Sequence, residues 1–456
     1  MIVVAVAVYI VVRSEKQSPA LPPMRIVNAS GVKRAEIDAA ALNRFIERYR
    51  IPAVPEFGEV AVETAQDVHA ALSQIAARPK DSQAFGQLGR VFQSHQYSAK
   101  ALACYTRARE LCPGEHEWSY YIGRIHADAF EHEPAIRAYE AAAELDSSYA
   151  PTFLAIGNLY LQVGNALKAQ NAFERFIELR PKSGHGYLGA AQSAFDRHEF
   201  DVASAFLQQA VAHSPNDFRV HNLLAQTYRQ LGNATKAQYH LAVLSGKNRQ
   251  DELAKHVYFD DPLYHRMLAA NTTDAALTER LRAAMATGQT NVAIRLATDL
   301  CHRHPNDARR LHSLALAYKQ AKEFKESLAC TEKAIRIDSD FLEAHLTRAQ
   351  LLMIARRLEE AGGVLDRIVE QHPNSFDAHY YRGTAMVLQS KYQAAVPVFR
   401  RAVELNEREA RAHVALAEAL TQSGRRSEAI EEYQRALELD PSNARALQQL
   451  RVLDGP

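Results

Sequence analysis

A period of 34 residues runs through most of this chain and restricts what it can fold into. Counted from Ser82, units start at 82, 116, 150, 184 and 218. After 22 further residues, 252–273, five more start at 274, 308, 342, 376 and 410. Position 20 of the unit reads Ala101, Ala135, Ala169, Ala203, Ala237, Ala293, Ser327, Ala361, Ala395 and Ala429. Position eight reads Gly89, Gly123, Gly157, Ala191, Ala225, Leu281, Ala315, Ala349, Gly383 and Ala417. Chance does not hold a small residue in register across ten units. A unit this short cannot bury a core alone, so units must stack and share one.

Each unit reads as two short amphipathic helices with a turn near position 15, where Gly164, Gly232, Gly288 and Gly424 fall. Small residues at positions eight and 20 let the paired helices approach closely. Aromatic residues such as Tyr160, Phe173, Tyr228, Phe399 and Tyr433 fill the remaining space. Proline at position 32 (Pro113, Pro181, Pro215, Pro305, Pro373 and Pro441) stops the second helix and admits the next unit. Unit two carries Ser147 there, unit five carries Leu244 at position 27, and unit six, with Leu281 at position eight, departs furthest from the pattern. Units five and six flank the 252–273 insert, where a bend is expected and where the insert can supply a helix of its own.

These residues resemble the tetratricopeptide-repeat family. Unit one carries Phe85, Leu88, Gly89, Phe92, Ala101, Tyr105, Ala108 and Pro113, the whole of the family's signature. Unit ten carries Gly424, Ala429, Tyr433, Ala436 and Pro441. The resemblance covers about three quarters of the chain. It implies an all-α, right-handed α-solenoid of helix hairpins in two five-repeat blocks, 82–251 and 274–443. It also implies a concave face lined by the first helix of each unit.

The flanks are read differently. Residues 1–12 are apolar, with the first charge at Arg13. As a helix they span ~18 Å, short of a ~30 Å hydrocarbon core. No basic residue precedes them, as a signal peptide would require. We expect residues 1–15 to form an apolar helix serving as a membrane anchor or signal-anchor whose true start lies upstream. A cleaved signal ending near Ser18-Pro19-Ala20 and a buried strand are the alternatives. The side of the membrane stays open, although Arg13, Lys16 and Arg25 favour a cytoplasmic body. Residues 17–34, with Pro19, Pro22 and Pro23, read as linker, and 35–48 and 62–78 as helices capping the array within a 16–81 segment. Residues 444–456 read as a C-terminal cap.

The groove positions of the first block include Gln87, Arg90, Tyr120, Tyr121, Arg124, Asn158, Gln162, Asn222, Gln226 and Arg229. Amides pair with peptide backbone, and Tyr and Arg are common interface anchors. The functional reading is a groove for an extended or disordered segment; the plain reading is a solvated face. The second block is more apolar, with Leu316, Leu346, Met353, Ile354, Tyr380, Tyr381, Val387, Leu388 and Val414. It suits the apolar face of a partner helix, unless superhelical winding or self-association buries it.

Some family members grip a carboxy-terminal carboxylate with Lys and Asn at fixed positions of adjacent units. The equivalents here are Arg90, Arg124 and Asn158, without the lysines, and that ligand class is not expected. His256, Asp260, Asp261 and His265 in the insert are residue types that bind metals, yet their irregular spacing reads as a solvated linker. His302 and His304 read as a polar helix end. Cys104, Cys112, Cys301 and Cys330 form no C-x-x-C and read as small packing residues. No phosphate loop, nucleophile elbow or paired-carboxylate motif is present, so neither enzyme activity nor a cofactor or metal is expected. Asn28-Ala29-Ser30 fits a glycosylation sequon. With 54 Lys+Arg against 53 Asp+Glu, the net charge of +1 argues against nucleic-acid binding. The expectation is a membrane-tethered scaffold or adaptor that binds protein or peptide partners and assists assembly of an envelope or multiprotein complex. The alternative is a non-catalytic accessory subunit presenting substrate to a separate enzyme.

Overall fold

The computed structural model describes residues 20–29, 32–52, 54–57, 60–245 and 261–454. The expected apolar helix at residues 1–15, and His256 and Asp260 of the insert, lie outside them. No helix among the described residues is long and apolar enough to cross a membrane. The described residues form 24 helices and one two-stranded sheet, packed as two units, 1–276 and 277–456.

In the first unit, β1 (Arg25–Ala29) pairs antiparallel with β2 (Val32–Glu36) in the register Ile26↔Ala35. This corrects the reading of 17–34 as linker throughout. The β-branched Ile26, Val27 and Val32 favour a strand, and Ala35 is fully buried. Helix α1 (Ala39–Tyr49) therefore starts later than expected, where the Asp38 side chain accepts from Ala41 N at 3.0 Å. Helix α2 (Val62–Ala77) follows.

Five hairpins complete the row. They are α3 (Ser82–Ser94) with α4 (Ser98–Leu111), α5 (His116–Asp128) with α6 (His132–Leu145), α7 (Ala150–Gln162) with α8 (Ala166–Leu179), α9 (Gly184–Asp196) with α10 (Phe200–His213), and α11 (Phe218–Gln230) with α12 (Ala234–Ser245). A short helix, α13 (Pro262–Ala269), lies within the same unit. In the second unit, α14 (Asp274–Ala286) pairs with α15 (Thr290–Arg303) and α16 (Ala308–Gln320) with α17 (Phe324–Ile337). Then α18 (Leu342–Ile354) pairs with α19 (Leu358–Gln371), α20 (Phe376–Leu388) with α21 (Tyr392–Leu405), and α22 (Ala410–Gln422) with α23 (Arg426–Leu439). Helix α24 (Ala444–Asp454) covers the end.

Paired helices fit by complementary size at positions eight and 24. A Cβ added at Gly89 would lie 2.7 Å from the Tyr105 ring, at Gly123 2.9 Å from Tyr139, at Gly157 2.6 Å from Phe173 and at Gly383 2.7 Å from Phe399. Where position eight is alanine, position 24 holds Leu207, Leu241, Thr331, Leu365 or Tyr433. In unit six the sizes are exchanged: Leu281 faces this register with Ala297, and both are buried in one cluster. Leu281 is thus compensated rather than a defect of packing. Ser327, the one non-alanine at position 20, is fully buried and donates to the Ala315 carbonyl at 2.7 Å.

Every hairpin turn places its fifteenth residue in the left-handed region. Glycine holds it in four units, with φ between +70° and +76°. Gln96, Phe130, His198, Lys322, Arg356 and Ser390 hold it in the others at φ between 59° and 65°. A side chain there costs about 1–2 kcal/mol. Phe130 is 79% exposed, so its ring returns little in packing. Phe130→Gly is expected to raise stability by about 0.5–1 kcal/mol, after the chain-entropy cost of glycine. Urea denaturation checks it; an unchanged or lower midpoint would refute it.

The last hairpin carries a pH-dependent contact. His413 is buried between Glu432 Oε2, 2.7 Å from Nδ1, and the Glu407 carbonyl, 3.0 Å from Nε2. The bond to Glu432 raises its pKa above the ordinary 6.5, against the opposing effect of burial. The charged form is favoured in the fold, so the stabilisation is complete below about pH 6.5 and is lost as pH rises through the raised pKa. His312, pushed down by burial, acts in the opposite sense. The comparison is therefore with His413→Gln: wild type should lose its advantage over this variant as pH rises from about 6.5 through the raised pKa, as read from denaturation midpoints.

Candidate functional site

Three tyrosines of unit 1 meet one short segment of the same unit. Tyr120 and Tyr121 lie on α5, and Tyr149 precedes α7. Tyr120 and Tyr121 are 3% and 1% exposed. Tyr120 packs edge-on against both others, with Tyr149 at 5.4 Å and Tyr121 at 6.2 Å between ring centres. Trp118 and Tyr105 stack behind Tyr121. Burial raises the pKa of all three phenols, so they remain donors over the whole working pH range.

What they donate to is the segment 261–263. Tyr120 Oη donates to Asp261 Oδ2, and Tyr149 Oη to Asp261 Oδ1 at 2.6 Å. Tyr121 Oη donates to the Leu263 carbonyl at 2.9 Å, and Leu263 N donates to Tyr149 Oη at 3.0 Å. Asp261 also caps α13, accepting from Tyr264 N at 3.1 Å, and Pro262 occupies the first helical position. One aspartate thus both starts the helix and docks it.

The rest of the segment is held along its length. Leu263, Met267 and Ala270, spaced on one helical face, are buried in the core of unit 1. Arg266 reaches Glu117 Oε2 at 2.8 Å, and the Arg124 guanidinium sits 4.5 Å from the centre of the Tyr264 ring. Asn271 Nδ2 donates to the Ser94 carbonyl at 3.1 Å. Thr272 donates to Asp67 through its N at 2.9 Å and its hydroxyl at 2.6 Å. Asp67 also faces His95 Nε2 at 3.1 Å. Glu117 further accepts from Gln83, and Arg90 lies 3.7 Å from it over the Trp118 ring.

The solvated-linker reading of the insert is therefore corrected at Asp261, which is 7% exposed with two phenol partners. His265 lies on α13, within the docked segment. Among the sequence candidates, Tyr120, Tyr121, Arg90 and Arg124 converge here, and the first three are buried rather than open to solvent. Gln87 is half-buried and bonds Arg90. Asn158, at mid-helix, and Gln162, at the C-terminal end, are exposed on α7, and Asn222, Gln226 and Arg229 are exposed on α11. Tyr149, Glu117 and Asp67 were not singled out from sequence. The signal that could have found the segment was Asp-Pro opening a stretch with apolar residues at 263, 267 and 270.

The expected apolar face of the second unit is largely used up internally. Leu346 and Met353 are each 8% exposed and belong to the core, which corrects their assignment to an open groove. Tyr380 and Tyr381 are half-buried. The Arg411 guanidinium lies 4.9 Å from the Tyr380 ring and 5.1 Å from that of Phe376. Ile354 at 46% and Leu388 at 38% are the exposed remainder among the predicted residues. Tyr380→Ala is expected to cost about 2–4 kcal/mol through lost packing, with denaturation as the measurement.

Family models described as tetratricopeptide repeat match residues 87–150, 154–197, 194–258, 312–376, 346–405 and 380–444. The chain is 21% identical over 324 residues to DnaJ homolog subfamily C member 7 of Mus musculus, covering 62% of this chain and 65% of that protein. It thus spans less than two thirds of that relative's length. It is 24% identical over 163 residues to anaphase-promoting complex subunit 3 of Schizosaccharomyces pombe, covering 34% and 24%. Among solved structures, YrrB, described as a TPR protein with an unusual peptide-binding site, is 17% identical, covering 41% of this chain and 97% of that one, with a TM-score of 0.32. A thermophilic TPR protein of Thermus thermophilus is 21% identical, covering 39% and 98%, with a TM-score of 0.35.

Proposed function

The chain belongs to the tetratricopeptide-repeat family, and from that premise we propose that it is a scaffold that binds peptide segments of partner proteins along its first helices. Interaction with proteins, without catalysis, is the general role of the family. The observation that carries the finer reading is the set Asn158, Gln162, Asn222, Gln226 and Arg229, all exposed on α7 and α11. Amide and guanidinium groups at helical spacing offer paired donors and acceptors to a peptide backbone.

The apolar run 1–12 followed by Arg13 and Lys16 supports tethering of the scaffold to a membrane. A tethered scaffold suits assembly of an envelope or multiprotein complex. Partition of full-length protein into the membrane fraction, resistant to carbonate but lost on deleting residues 1–12, is expected. Recovery of the full chain in the soluble fraction would discard the tether.

The binding reading is tested by placing a photo-crosslinker at Gln226. Defined partners should attach, and the triple variant Asn222→Ala, Gln226→Ala, Arg229→Ala should bind those partners at least about tenfold more weakly, with its helical content unchanged. Equal affinity would remove this row as the binding surface.

A further inference from the structure

We propose that residues 261–273 are a built-in ligand of the first groove, and that this groove exchanges them for a partner segment of the same chemistry. The partner chemistry follows from the contacts: an aspartate capping a short helix, apolar side chains two and six residues later, and a basic residue at the fifth. The inference rests on the peptide-binding reading above and assigns a ligand class to a second part of the same unit.

The docking contacts have the character of an interface. A carboxylate is held by two phenols, a backbone carbonyl by a third, and a guanidinium by Glu117. These directional bonds surround two large apolar anchors, Leu263 and Met267. Each hairpin also has a seam of its own that the segment does not enter, where Gly89, Gly123 and Gly157 seat the rings of Tyr105, Tyr139 and Phe173. Helix α13 has eight residues, below the length at which a helix persists alone in water, so the groove supplies its order. The fit is also incomplete. Arg90 is 5% exposed beside the docked segment, yet its Nη1 has no hydrogen-bond partner and stands 3.7 Å from Glu117. A partner carrying one further acceptor at this point would bind better than the built-in segment does. Being tethered, that segment competes at an effective concentration in the millimolar range, so outside peptide must overcome a standing occupant.

The probe is a fluorescein-labelled synthetic peptide of residues 261–273. It is titrated into the full chain and into an opened variant, Leu263→Asp with Met267→Asp. The opened variant should keep its helical content and bind the peptide at least about tenfold tighter than wild type, because the tethered competitor is gone. The peptide with Asp261→Ala, or an opened variant that also carries Tyr120→Phe and Tyr149→Phe, should lose that gain. In wild type, excess peptide should speed hydrogen exchange of the 263–270 amides. The proposal is overturned if a folded opened variant does not bind the peptide, or binds it no better than wild type. It is also overturned if the opened variant fails to fold, or if wild-type 263–270 amides exchange as slowly as those of α5, since the segment is then core. These failures leave the Asn222, Gln226 and Arg229 row untouched, because the crosslink at Gln226 reports on that surface separately.

Discussion

Gly157→Ala, a change of one methyl group, is expected to destabilise the first unit by about 1–3 kcal/mol, and Gly157→Leu by more. The added Cβ would stand 2.6 Å from the Phe173 ring. Ordinarily a ring could slide away, but Phe173 has no exposed surface and no free side. Gly189, on the first helix of the next hairpin, meets the same ring, and a Cβ there would be 2.4 Å away. One aromatic is therefore clamped between two glycine backbones from adjacent repeats. The compensating change is written elsewhere in the chain, where Ala191 occurs with Leu207 and Ala349 with Leu365. Gly157→Ala with Phe173→Leu should recover part of the loss. A double-mutant cycle by urea denaturation should give a favourable coupling of about 1 kcal/mol or more. Strict additivity of the two changes would show that the ring is not clamped. The Phe173→Leu change alone should cost about 1–2 kcal/mol, since it leaves space beside both glycines.

The same pairings explain what could be read in advance. The 34-residue period was legible because close helix approach tolerates only small residues at positions eight and 20, and this constraint recurs in nearly every unit. First helices accordingly begin at Ser82, His116, Ala150, Gly184 and Phe218, and second helices sixteen residues later at Ser98, His132, Ala166, Phe200 and Ala234. The relation between positions eight and 24 was not legible, since it couples two helices and varies from Gly–Phe to Leu–Ala. Leu281 alone reads as a flaw; beside Ala297 it does not. Burial along the first helices was also misjudged. Position in the repeat tells which way Leu346 and Met353 point, but not that neighbouring side chains close over them. The β1–β2 hairpin was missed because five-residue strands near three prolines carry little periodic signal. The docking of 261–273 was missed for a different reason. Its contacts join residues more than a hundred positions apart, such as Tyr120 with Asp261, and no local pattern encodes that meeting. Only the partners' own character hints at it: an Asp-Pro helix start on one side and adjacent tyrosines on the other.

Asp261→Ala should therefore have the second large effect, and it should be local. The carboxylate accepts from Tyr120, from Tyr149 and from Tyr264 N, in a site 7% exposed to solvent. Removing it strands the buried Tyr120 hydroxyl and the half-buried Tyr149 hydroxyl and uncaps α13 at once. A hydrogen bond to a charged group contributes about 1.5–3 kcal/mol, an orphaned buried donor costs about 1–3 kcal/mol, and a lost cap about 1 kcal/mol. These overlap rather than add, because the segment can swing away and let water reach the phenols. The loss is then limited to the free energy of docking, about 2–4 kcal/mol. Undocking gives the prediction its signature: amides of Leu263 to Ala269 should lose most of their hydrogen-exchange protection, while those of α20 and α21 in the second unit keep theirs. Asp261→Asn retains one acceptor and the capping geometry, and should fall between wild type and alanine. Tyr120→Phe with Tyr149→Phe, leaving the carboxylate buried without its two phenol donors, should match or exceed the alanine variant. If Asp261→Ala instead lowers protection evenly through α3 to α8, the aspartate is bracing the whole row of hairpins and not holding one segment in place.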